Sequence, residues 1–308
     1  MIERVARAGL PTAQSYLVTD VAHVSALQER LRLPVMVKPS NSAGSDLCRA
    51  ASTWADARAF AADVIDSTSI LGNKNVGAVI QEFVEGPQFH VNTVVVDGVH
   101  EVTEVYSNEF RFVGDAPQLF AGRTHRHDEE GIAQLVEYVL ACLEALGVHA
   151  GATHTEARLT CDGPRLIEFN GRLMGPAQPT DYFVAAQGFS QATVLADVIA
   201  GEPATARAAL GSHPDRQFLG FYLLTAERSG VLVEFDPAPL RALVSFRLLS
   251  NAPDLGTEFD IENRTTDADL GLVLFANVDA EQLEDDLAEA ERLERAGKIH
   301  RVEGVEIA

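Results

Sequence analysis

Apolar and polar positions in the first part of the chain predict short strands that alternate with amphipathic helices. The apolar run 35–37 predicts a buried strand, and 53–65 has the spacing of an amphipathic helix. A shorter helix is predicted at 21–31, and two more strands are predicted at 47–50 and 76–84. Together these elements predict a small α/β unit with a flexible loop of small polar residues after its first strand.

The middle of the chain has the pattern of a larger unit that is built on hairpins. Asp97-Gly98 joins the apolar segments 89–96 and 99–106, and this dipeptide favours the positive φ angles of a two-residue hairpin turn. A long amphipathic helix is predicted at 128–146. The second unit is therefore predicted to combine antiparallel strands with a covering helix.

Turn residues divide the chain into units. Gly86-Pro87 marks a hinge after the first unit, and the helix predicted at 189–199 is followed by a loop rich in Ala and Pro. In the last unit, Asp279 and Gln282 predict a capping box at the start of a final charged helix. The predicted units are 1–84 with an N-terminal helix, 85–205, and a small C-terminal α+β lobe at 206–308. The predicted fold class is α+β.

Composition and charge exclude several classes of function. The 308 residues are 46% hydrophobic and 22% charged, as in an ordinary globular protein, and the formal net charge is −21. Such a charge disfavours binding to nucleic acid or to anionic lipid. No apolar leader and no segment long enough to span a bilayer occur in the sequence, and Cys48, Cys142 and Cys161 lack disulfide or zinc spacing. We therefore expect a cytoplasmic protein with reduced thiols.

A hairpin in the second unit concentrates the candidate chemistry. Strands are predicted at 149–160 and 165–170, and a three-residue turn between them would pair Thr160 with Pro164. In that register Glu156 lies directly opposite Glu168. Like charges in this position need compensation, and a divalent cation such as Mg²⁺ suits two carboxylates. The alternative interpretation is an ordinary solvated hairpin with a glutamate pair.

Other polar residues share a face of this hairpin. Alternation along the second strand places Asn170 and Arg172 on the face that holds Glu168, and His154 would lie opposite Asn170. His154 could then orient a metal ligand, contact the substrate, or serve as a buried structural histidine. The sequence contains neither the GxxxxGK[ST] nor the GxGxxG motif, which removes the P-loop and Rossmann modes of nucleotide binding.

Three blocks of the sequence resemble a known family. The segments HTEARLT and RLIEFNGRL resemble the metal-binding hairpin of ATP-grasp carboxylate-amine ligases. PVMVKPSNSAGS resembles the lysine strand and phosphate-covering loop of that family, and QEFVEGPQF resembles its adenine hinge. The blocks follow the family order, and DADLGLVLFANVDAEQL resembles the final lobe of amino-acid ligases that make dipeptides. The resemblance implies an ATP-grasp fold, in which two α/β lobes sandwich ATP.

The resemblance also implies a role for each site residue. The residues implied to bind ATP are Lys38, Ser42, Gly44, Ser45, Glu82, Phe83, Val84 and Gln88. The implied ligands of two Mg²⁺ ions, with Mn²⁺ as an alternative, are Glu156, Glu168 and Asn170. The implied catalytic residues are Arg172, Lys38 and His154. Taken singly, Lys38 could be a surface lysine at a strand end, and Gly44 an ordinary turn glycine.

The implied activity is ATP-dependent ligation of a carboxylate to an amine. The carboxylate would attack the γ-phosphate, ADP would leave, and the amine would attack the acyl phosphate, so that an amide or peptide bond forms. The alternative is an ATP-binding subunit of a split enzyme that is not catalytic or depends on a partner. A member that forms a thioester or carboxyphosphate is also open, because the fold does not define the acceptor.

The sequence departs from the family at two places. Gln88 stands where relatives have an acidic ribose ligand, and Asn92 replaces a residue that is commonly acidic. Relatives also have an N-terminal α/β domain and a further phosphate-binding lysine ahead of the position where this chain begins. We therefore expect a homodimer, or a separate partner that closes this side of the substrate site.

Overall fold

A computed structural model describes residues 1–175, 179–211, 216–261 and 270–304. The first unit contains a four-stranded antiparallel sheet in the order β1-β4-β2-β3. Its elements are α1 (Ile2–Arg7), β1 (Ser15–Val18), a 3-10 helix (Val21–Glu29), β2 (Val35–Pro39), β3 (Arg49–Ala51), α2 (Trp54–Val64) and β4 (Ala78–Glu82). Alanines of α2 pack against apolar residues of β2 and β4, and this core makes the sheet a stable wall.

Two predictions for this unit need correction. The helix predicted at 21–31 is a 3-10 helix, in which hydrogen bonds such as His23 N to Asp20 O join residues three apart. The strand predicted at 47–50 is shorter and lies at Arg49–Ala51, because Leu47 has a φ of 50° that is incompatible with a strand.

The remaining strands form an eight-stranded antiparallel sheet and a three-stranded sheet. The large sheet has the order β12-β14-β10-β7-β6-β5-β8-β9, and the small sheet has the order β13-β11-β15. The strands are β5 (Gln88–Val96), β6 (Val99–Val113), β7 (Ala116–Thr124), β8 (Ala152–Thr160), β9 (Gly163–Asn170), β10 (Phe218–Leu224), β11 (Gly230–Phe235), β12 (Phe246–Ser250), β13 (Glu258–Phe259), β14 (Gly271–Asn277) and β15 (His300–Glu303).

Helices cover most of the large sheet and leave one region open. They are α3 (Ile132–Leu146), α4 (Thr180–Gln187), α5 (Gln191–Ile199), α6 (Pro203–Leu210), α7 (Ala238–Arg241) and α8 (Ala280–Arg295). Residues of α3 pack on β5, β8 and β9, and α8 packs on β10 and β14. Because of this covering, β5 is buried along its whole length. None of these helices has the length and apolar character needed to cross a membrane.

The structure refines the second and third predicted units. Asp97 and Gly98 have φ angles of 48° and 78°, so the predicted hairpin turn is confirmed. The strand that follows this turn extends beyond 106 to Val113 and pairs with β7, which the sequence did not predict. The predicted boundary between 205 and 206 does not separate two sheets, because β10 and β14 join the same sheet as β7.

The ends of two helices also differ from prediction. The helix predicted from 128 begins at Ile132, after Gly131 with a left-handed φ of 77°. At the final helix, Asp279 accepts hydrogen bonds from the backbone of Glu281 and Gln282, as a cap should. The side chain of Gln282 donates forward to Asp286 at 3.2 Å. The predicted capping box is therefore only half formed.

Candidate active site

A cleft of about 620 Å³ lies between the four-stranded sheet and the eight-stranded sheet. Every residue that the sequence nominated for the site lines this cleft. They are Lys38, Ser42, Gly44, Ser45, Glu82, Phe83, Val84, Gln88, His154, Glu156, Glu168, Asn170 and Arg172. Residues that are far apart in the chain are thus brought together by the packing of the two sheets.

The hairpin of β8 and β9 has the predicted pairing of glutamates, but reaches it by another turn. Thr160 pairs with Gly163, so the predicted pairing of Thr160 with Pro164 is wrong. A bulge next to Glu156 shifts the register by one residue and restores the pairing of Glu156 with Glu168. The two carboxylates therefore project from directly opposed positions on neighbouring strands.

Glu168 connects the two lobes of the cleft. Lys38 Nζ, on β2 of the four-stranded sheet, lies 3.8 Å from Glu168 Oε2. Asn170 Nδ2 donates to Glu168 Oε1 at 3.1 Å. This carboxylate is partly open to the cleft, and its contact with Lys38 is an ion pair between the two sheets. A ligand that replaced this contact would need a negative group for Lys38 and a positive group for Glu168. A phosphate with a bound metal ion has both.

Glu156 is held by neighbouring side chains. Gln88 Nε2 donates to Glu156 Oε2 at 2.9 Å, and His154 Nε2 lies 3.5 Å from Glu156 Oε1. Burial raises the pKa of Glu156, but the hydrogen bond and charge of His154, with the charges of Lys38 and Arg172, outweigh burial and lower the pKa. Glu156 is therefore ionised near pH 7 and can serve as an oxygen ligand.

His154 is fixed by a buried polar chain. Asn92 Nδ2 donates to Glu104 Oε2 at 3.2 Å, which leaves Asn92 Oδ1 as the acceptor for His154 Nδ1 at 2.9 Å. His154 Nδ1 therefore donates to Asn92, and Nε2 points toward Glu156. Burial raises the pKa of Glu104, while hydrogen bonds from Thr103, Asn92 and Gln187 oppose that shift. Asn92 thus orients the histidine rather than the nucleotide.

The loop after β2 has the conformation of a compact lid. Ser42 Oγ donates to Asp46 Oδ2 at 2.6 Å, and the backbone N–H of Ile70 donates to the same oxygen at 3.2 Å. Gly44 and Ser45 both have left-handed φ angles, of 64° and 59°. These turns direct the loop over the cleft, where it rests on the segment around Ile70.

The hinge at the end of β4 contacts the β8–β9 hairpin. Glu82 Oε2 accepts from the backbone N–H of Gln14 at 3.1 Å, and Glu82 Oε1 lies 3.6 Å from Arg165 Nη1. The carbonyl oxygen of Val84 accepts from Arg158 Nη1 at 2.8 Å. The hinge is therefore anchored on both sides, and it lies next to β8 and β9.

Arg158 is a residue of the site that sequence reasoning missed. Its guanidinium lies 5.3 Å from the ring centroid of Phe83, and its Nε donates to Gln88 Oε1 at 3.2 Å. Burial lowers the pKa of Arg158, and the charge of Glu156 opposes that shift. Strand alternation offered a signal, because Arg158 lies two residues after Glu156 and so faces the same cleft.

Arg172 lies beyond the end of β9. Arg172 Nη1 donates to the carbonyl oxygen of Leu173 at 2.9 Å, so the arginine belongs to the turn after the strand.

His90 is a second cleft residue that was not predicted from the sequence. It lies on β5, directly opposite Glu156 on β8. Burial, followed by the charge of His154, lowers the pKa of His90 well below its ordinary value, despite an opposing effect of Asn108.

The donor set fits a magnesium ion that is shared with phosphate. No cluster of three or more His, Cys, Asp and Glu side chains that could hold a metal occurs in the described ranges. What the cleft offers is the opposed pair Glu156 and Glu168 with the neighbouring amide of Asn170. Mg²⁺ typically takes one or two carboxylates and completes its coordination with waters and substrate phosphates. A pair of carboxylates in an open cleft suits that mode.

Comparisons with known proteins agree with this geometry. Residues 31–181 match the family described as an ATP-grasp domain. Dapdiamide A synthase from Enterobacter agglomerans is 31% identical over 168 residues, which are 54% of this chain and 39% of that protein. The chain thus spans about two fifths of the length of this curated relative.

Solved structures have the same fold. The crystal structure of L-amino acid ligase from Bacillus licheniformis superposes with a TM-score of 0.73 at 18% identity, over 94% of this chain and 68% of that chain. N5-carboxyaminoimidazole ribonucleotide synthetase from Thermotoga maritima gives a TM-score of 0.63 at 16% identity, over 98% of this chain and 71% of that chain. At these identities the likeness is one of fold.

Proposed function

We propose that this chain, which belongs to the ATP-grasp superfamily, uses Mg²⁺ and ATP to activate a carboxylate as an acyl phosphate and joins it to an amine. One observation supports this proposal above the others. Glu156 and Glu168 oppose each other on the hairpin, while Lys38 from the other sheet lies 3.8 Å from Glu168. A phosphate chain between the two sheets would meet cations and metal ligands at the same point.

The four-stranded sheet and the loop after β2 would bind the phosphates of ATP. Lys38 would exchange its contact with Glu168 for phosphate oxygens, since its ammonium has three donors and flexible reach. Ser42, Gly44 and Ser45 would close over the triphosphate, because all three line the cleft and the left-handed turns at Gly44 and Ser45 fold the loop over it. The lid would exclude water while phosphate is transferred.

The hinge would bind the base and the sugar. Phe83 and Val84 offer an apolar side chain and backbone polar groups at the cleft wall, and Glu82 lies at the start of this segment. The amide of Gln88 is engaged by Glu156 and Arg158, but its oxygen has a second lone pair that can accept from a ribose hydroxyl. Gln88 would then couple the position of the sugar to that of Glu156.

Mg²⁺ would be held by Glu156, Glu168 and the amide of Asn170. When bound, it would neutralise charge on the phosphates and align the γ-phosphate with the attacking carboxylate. A pair of ions is the number that the family resemblance implies, with Mn²⁺ as an alternative. His154 would orient Glu156, because Asn92 holds the far side of the imidazole ring.

The reaction would need no nucleophile from the protein. The substrate carboxylate would attack the γ-phosphate, with ADP as the leaving group, and the amine would then attack the acyl carbon with loss of inorganic phosphate. Arg172, at the mouth of the hairpin, would stabilise the charge on the acyl phosphate and on the tetrahedral oxyanion that follows. Its planar guanidinium suits both groups.

The test is formation of ADP and of an acyl phosphate. Purified chain is incubated with ATP, Mg²⁺ and a panel of carboxylates, with hydroxylamine as a small amine that converts any acyl phosphate into a coloured hydroxamate. We expect ADP and hydroxamate in equal amounts, loss of both in Glu168→Gln, and no loss in the control Glu144→Gln on the exposed face of α3. AMP and pyrophosphate as products would contradict the mechanism.

ATP binding without turnover would favour the other candidate, an ATP-binding subunit that depends on a partner. The association expected from the sequence, as a homodimer or with a separate protein, belongs to the same proposal. Sedimentation over a dilution series beside the hydroxamate assay separates these cases. We expect activity to fall as the oligomer dissociates, and a fully active monomer at nanomolar concentration would contradict that expectation. The cytoplasm, where ATP is abundant, is the proposed location.

A further inference from the structure

The cleft has an apolar end that the nucleotide and metal residues do not use. The cleft-lining residues there come from β6, β7, β10 and β14, and they are Phe110, Leu119, Phe221, Leu223 and Leu272. Phe110 lies directly opposite Leu119 across the β6–β7 hairpin, and both side chains are only half-buried. An apolar surface of this kind inside a functional cleft is a place where a ligand gains affinity by displacing water.

The order of strands separates this end from the nucleotide. β8 and β9 lie at one edge of the large sheet, next to the hinge, whereas β6, β7 and β10 follow on the far side of β5. Arg165 on β9 and Arg158 on β8 contact the hinge residues Glu82 and Val84. The base of ATP would therefore lie over β8 and β9, and the apolar end remains for the second occupant of the cleft.

A row of rings joins the two ends. His154, beside Glu156, lies 4.7 Å from the ring centroid of His90, and His90 stacks on Tyr106 at 4.8 Å. Tyr106 lies 5.9 Å from the ring of Phe221. Tyr106 is buried and does not line the cleft, so the row runs beneath the cleft from the metal ligands to Phe221, which lines the apolar end. A molecule whose carboxylate reached the metal ligands could therefore lie above this row with its other end against Phe221.

Gly122 sets the position of the last ring in the row. A β-carbon at Gly122 would lie 2.6 Å from Cε1 and 2.7 Å from Cζ of Phe221. Gly122 is paired with Phe221 on β10 and with Asn108 on β6, and without a β-carbon it leaves room for the ring of Phe221 to lie over it. The apolar surface of the cleft therefore requires glycine at position 122.

The β6–β7 hairpin also encloses the apolar end from the side of the four-stranded sheet. The carbonyl oxygen of Asp115, in the turn of this hairpin, accepts from the backbone N–H of Ala50 on β3 at 2.8 Å. The hairpin therefore joins the four-stranded sheet to the eight-stranded sheet. The apolar end of the cleft is enclosed by the eight-stranded sheet and by this hairpin.

We infer that the carboxylate substrate has a bulky apolar side chain, aromatic or branched aliphatic, which binds against Phe110, Leu119 and Phe221. This inference rests on the proposed ligase function and adds its substrate class. A charged substrate side chain would lose its hydration against these residues without gaining an ion pair. A methyl side chain would be too small to cover the apolar surface, which would stay in contact with water.

The test compares carboxylates in the hydroxamate assay. L-Leucine and L-phenylalanine are measured against L-alanine, L-aspartate and L-lysine at fixed ATP, Mg²⁺ and hydroxylamine. We expect kcat/KM to be roughly tenfold or more higher for leucine and phenylalanine than for alanine, since each added methylene in an apolar pocket gives about that discrimination. Aspartate or lysine as the best substrate, or an equal rate with all five, would overturn the inference and leave the ligase function standing.

Variants locate the apolar site. Phe110→Ala should lower kcat/KM for phenylalanine at least tenfold while the value for alanine changes little, because only the larger side chain reaches this position. Val113→Ala is the matched control, since Val113 is on the same strand, is 48% exposed and does not line the cleft. Leu119→Ala serves as a second variant. Equal losses for phenylalanine and alanine in both variants would contradict the placement.

A chain that makes no hydroxamate with any carboxylate would refute the proposed function, and calorimetry then decides the inference separately. The chain is titrated with each of the five amino acids in the presence of ADP and Mg²⁺. Binding of leucine and phenylalanine with a negative heat-capacity change, weakened by Phe110→Ala, supports the apolar site. Failure of both to bind, or tighter binding of aspartate or lysine, overturns it.

Discussion

Glu156 on β8 lies directly opposite Glu168 on β9, and Lys38 from the other sheet reaches to within 3.8 Å of the second carboxylate. The pair lies among the cations Lys38, Arg158 and Arg172, so carboxylates and positive charges meet at one point of the cleft. A divalent cation on the carboxylates would add positive charge there, which explains how a protein with a net charge of −21 could hold the phosphates of ATP.

The first prediction concerns the metal requirement. Glu156→Gln removes one anionic ligand but keeps the hydrogen-bonding shape, so we expect the Mg²⁺ concentration for half-maximal ADP formation to rise about tenfold or more. Gln88 can still donate to the amide oxygen, and thermal stability should change little. Measurement of ADP release over a series of Mg²⁺ concentrations checks this prediction. An unchanged Mg²⁺ requirement would remove Glu156 from the ligand set.

The second prediction concerns Arg172. Arg172→Lys keeps the positive charge but loses the planar pair of donors, so we expect kcat to fall about a hundredfold while the affinity for ATP is kept. Steady-state hydroxamate formation gives kcat, and calorimetric titration with ADP and Mg²⁺ gives the nucleotide affinity. A small change in kcat would mean that Arg172 only supports the turn through its bond to Leu173.

The third prediction concerns the hinge glycine. Gly86 has a φ of 120°, and a β-carbon there would lie 2.4 Å from the carbonyl oxygen of Leu159. Gly86→Ala should lower the free energy of unfolding by about 3 kcal/mol, because backbone strain is added to steric overlap. Denaturant unfolding measures this loss.

Gly114→Ala is the matched control for the hinge glycine. Gly114 has a left-handed φ of 61°, but a β-carbon added there would have no neighbouring atom within 4 Å, so its substitution should cost about 1 kcal/mol from conformation alone. Equal losses in the two variants would mean that contact with Leu159 has no part in holding the hinge.

The fourth prediction concerns the pH dependence of stability. Burial, followed by the charge of Arg123, lowers the pKa of His125, although Glu129 and Glu284 oppose this shift. In the unfolded chain the histidine takes up a proton near its ordinary pKa of about 6.5, whereas the folded chain resists protonation. The contribution of His125 to stability is therefore complete above that pKa and is lost as the pH falls below it.

The variant His125→Gln isolates this contribution. We expect the free energy of unfolding of the natural chain to fall more steeply than that of the variant between pH 7 and pH 5. Urea unfolding at several pH values measures the two slopes. Parallel curves would show that the environment made by Arg123, Glu129 and the ring of Phe89 does not bias protonation of His125.

Local elements, and the pairing of chemical groups on one hairpin, follow from the order of amino acids alone. Alternation along two strands placed Glu156 opposite Glu168 and His154 opposite Asn170, because side chains on a strand repeat every two residues. The turn was predicted with the wrong length, yet the bulge after Glu156 compensated for that error. A bulge cannot be deduced from alternation, since it depends on contacts with neighbouring strands.

The surroundings of that hairpin depend on tertiary packing. Lys38 meets Glu168 because two separate sheets pack face to face, and no periodicity in the sequence encodes the distance between them. The sequence also does not encode the pairing of β10 with β7 and β14. Through this pairing, strands from two predicted units form one sheet. Gly122 and Phe221 are far apart in the sequence, and their close approach, which shapes the apolar end of the cleft, arises from strand register rather than from local preference.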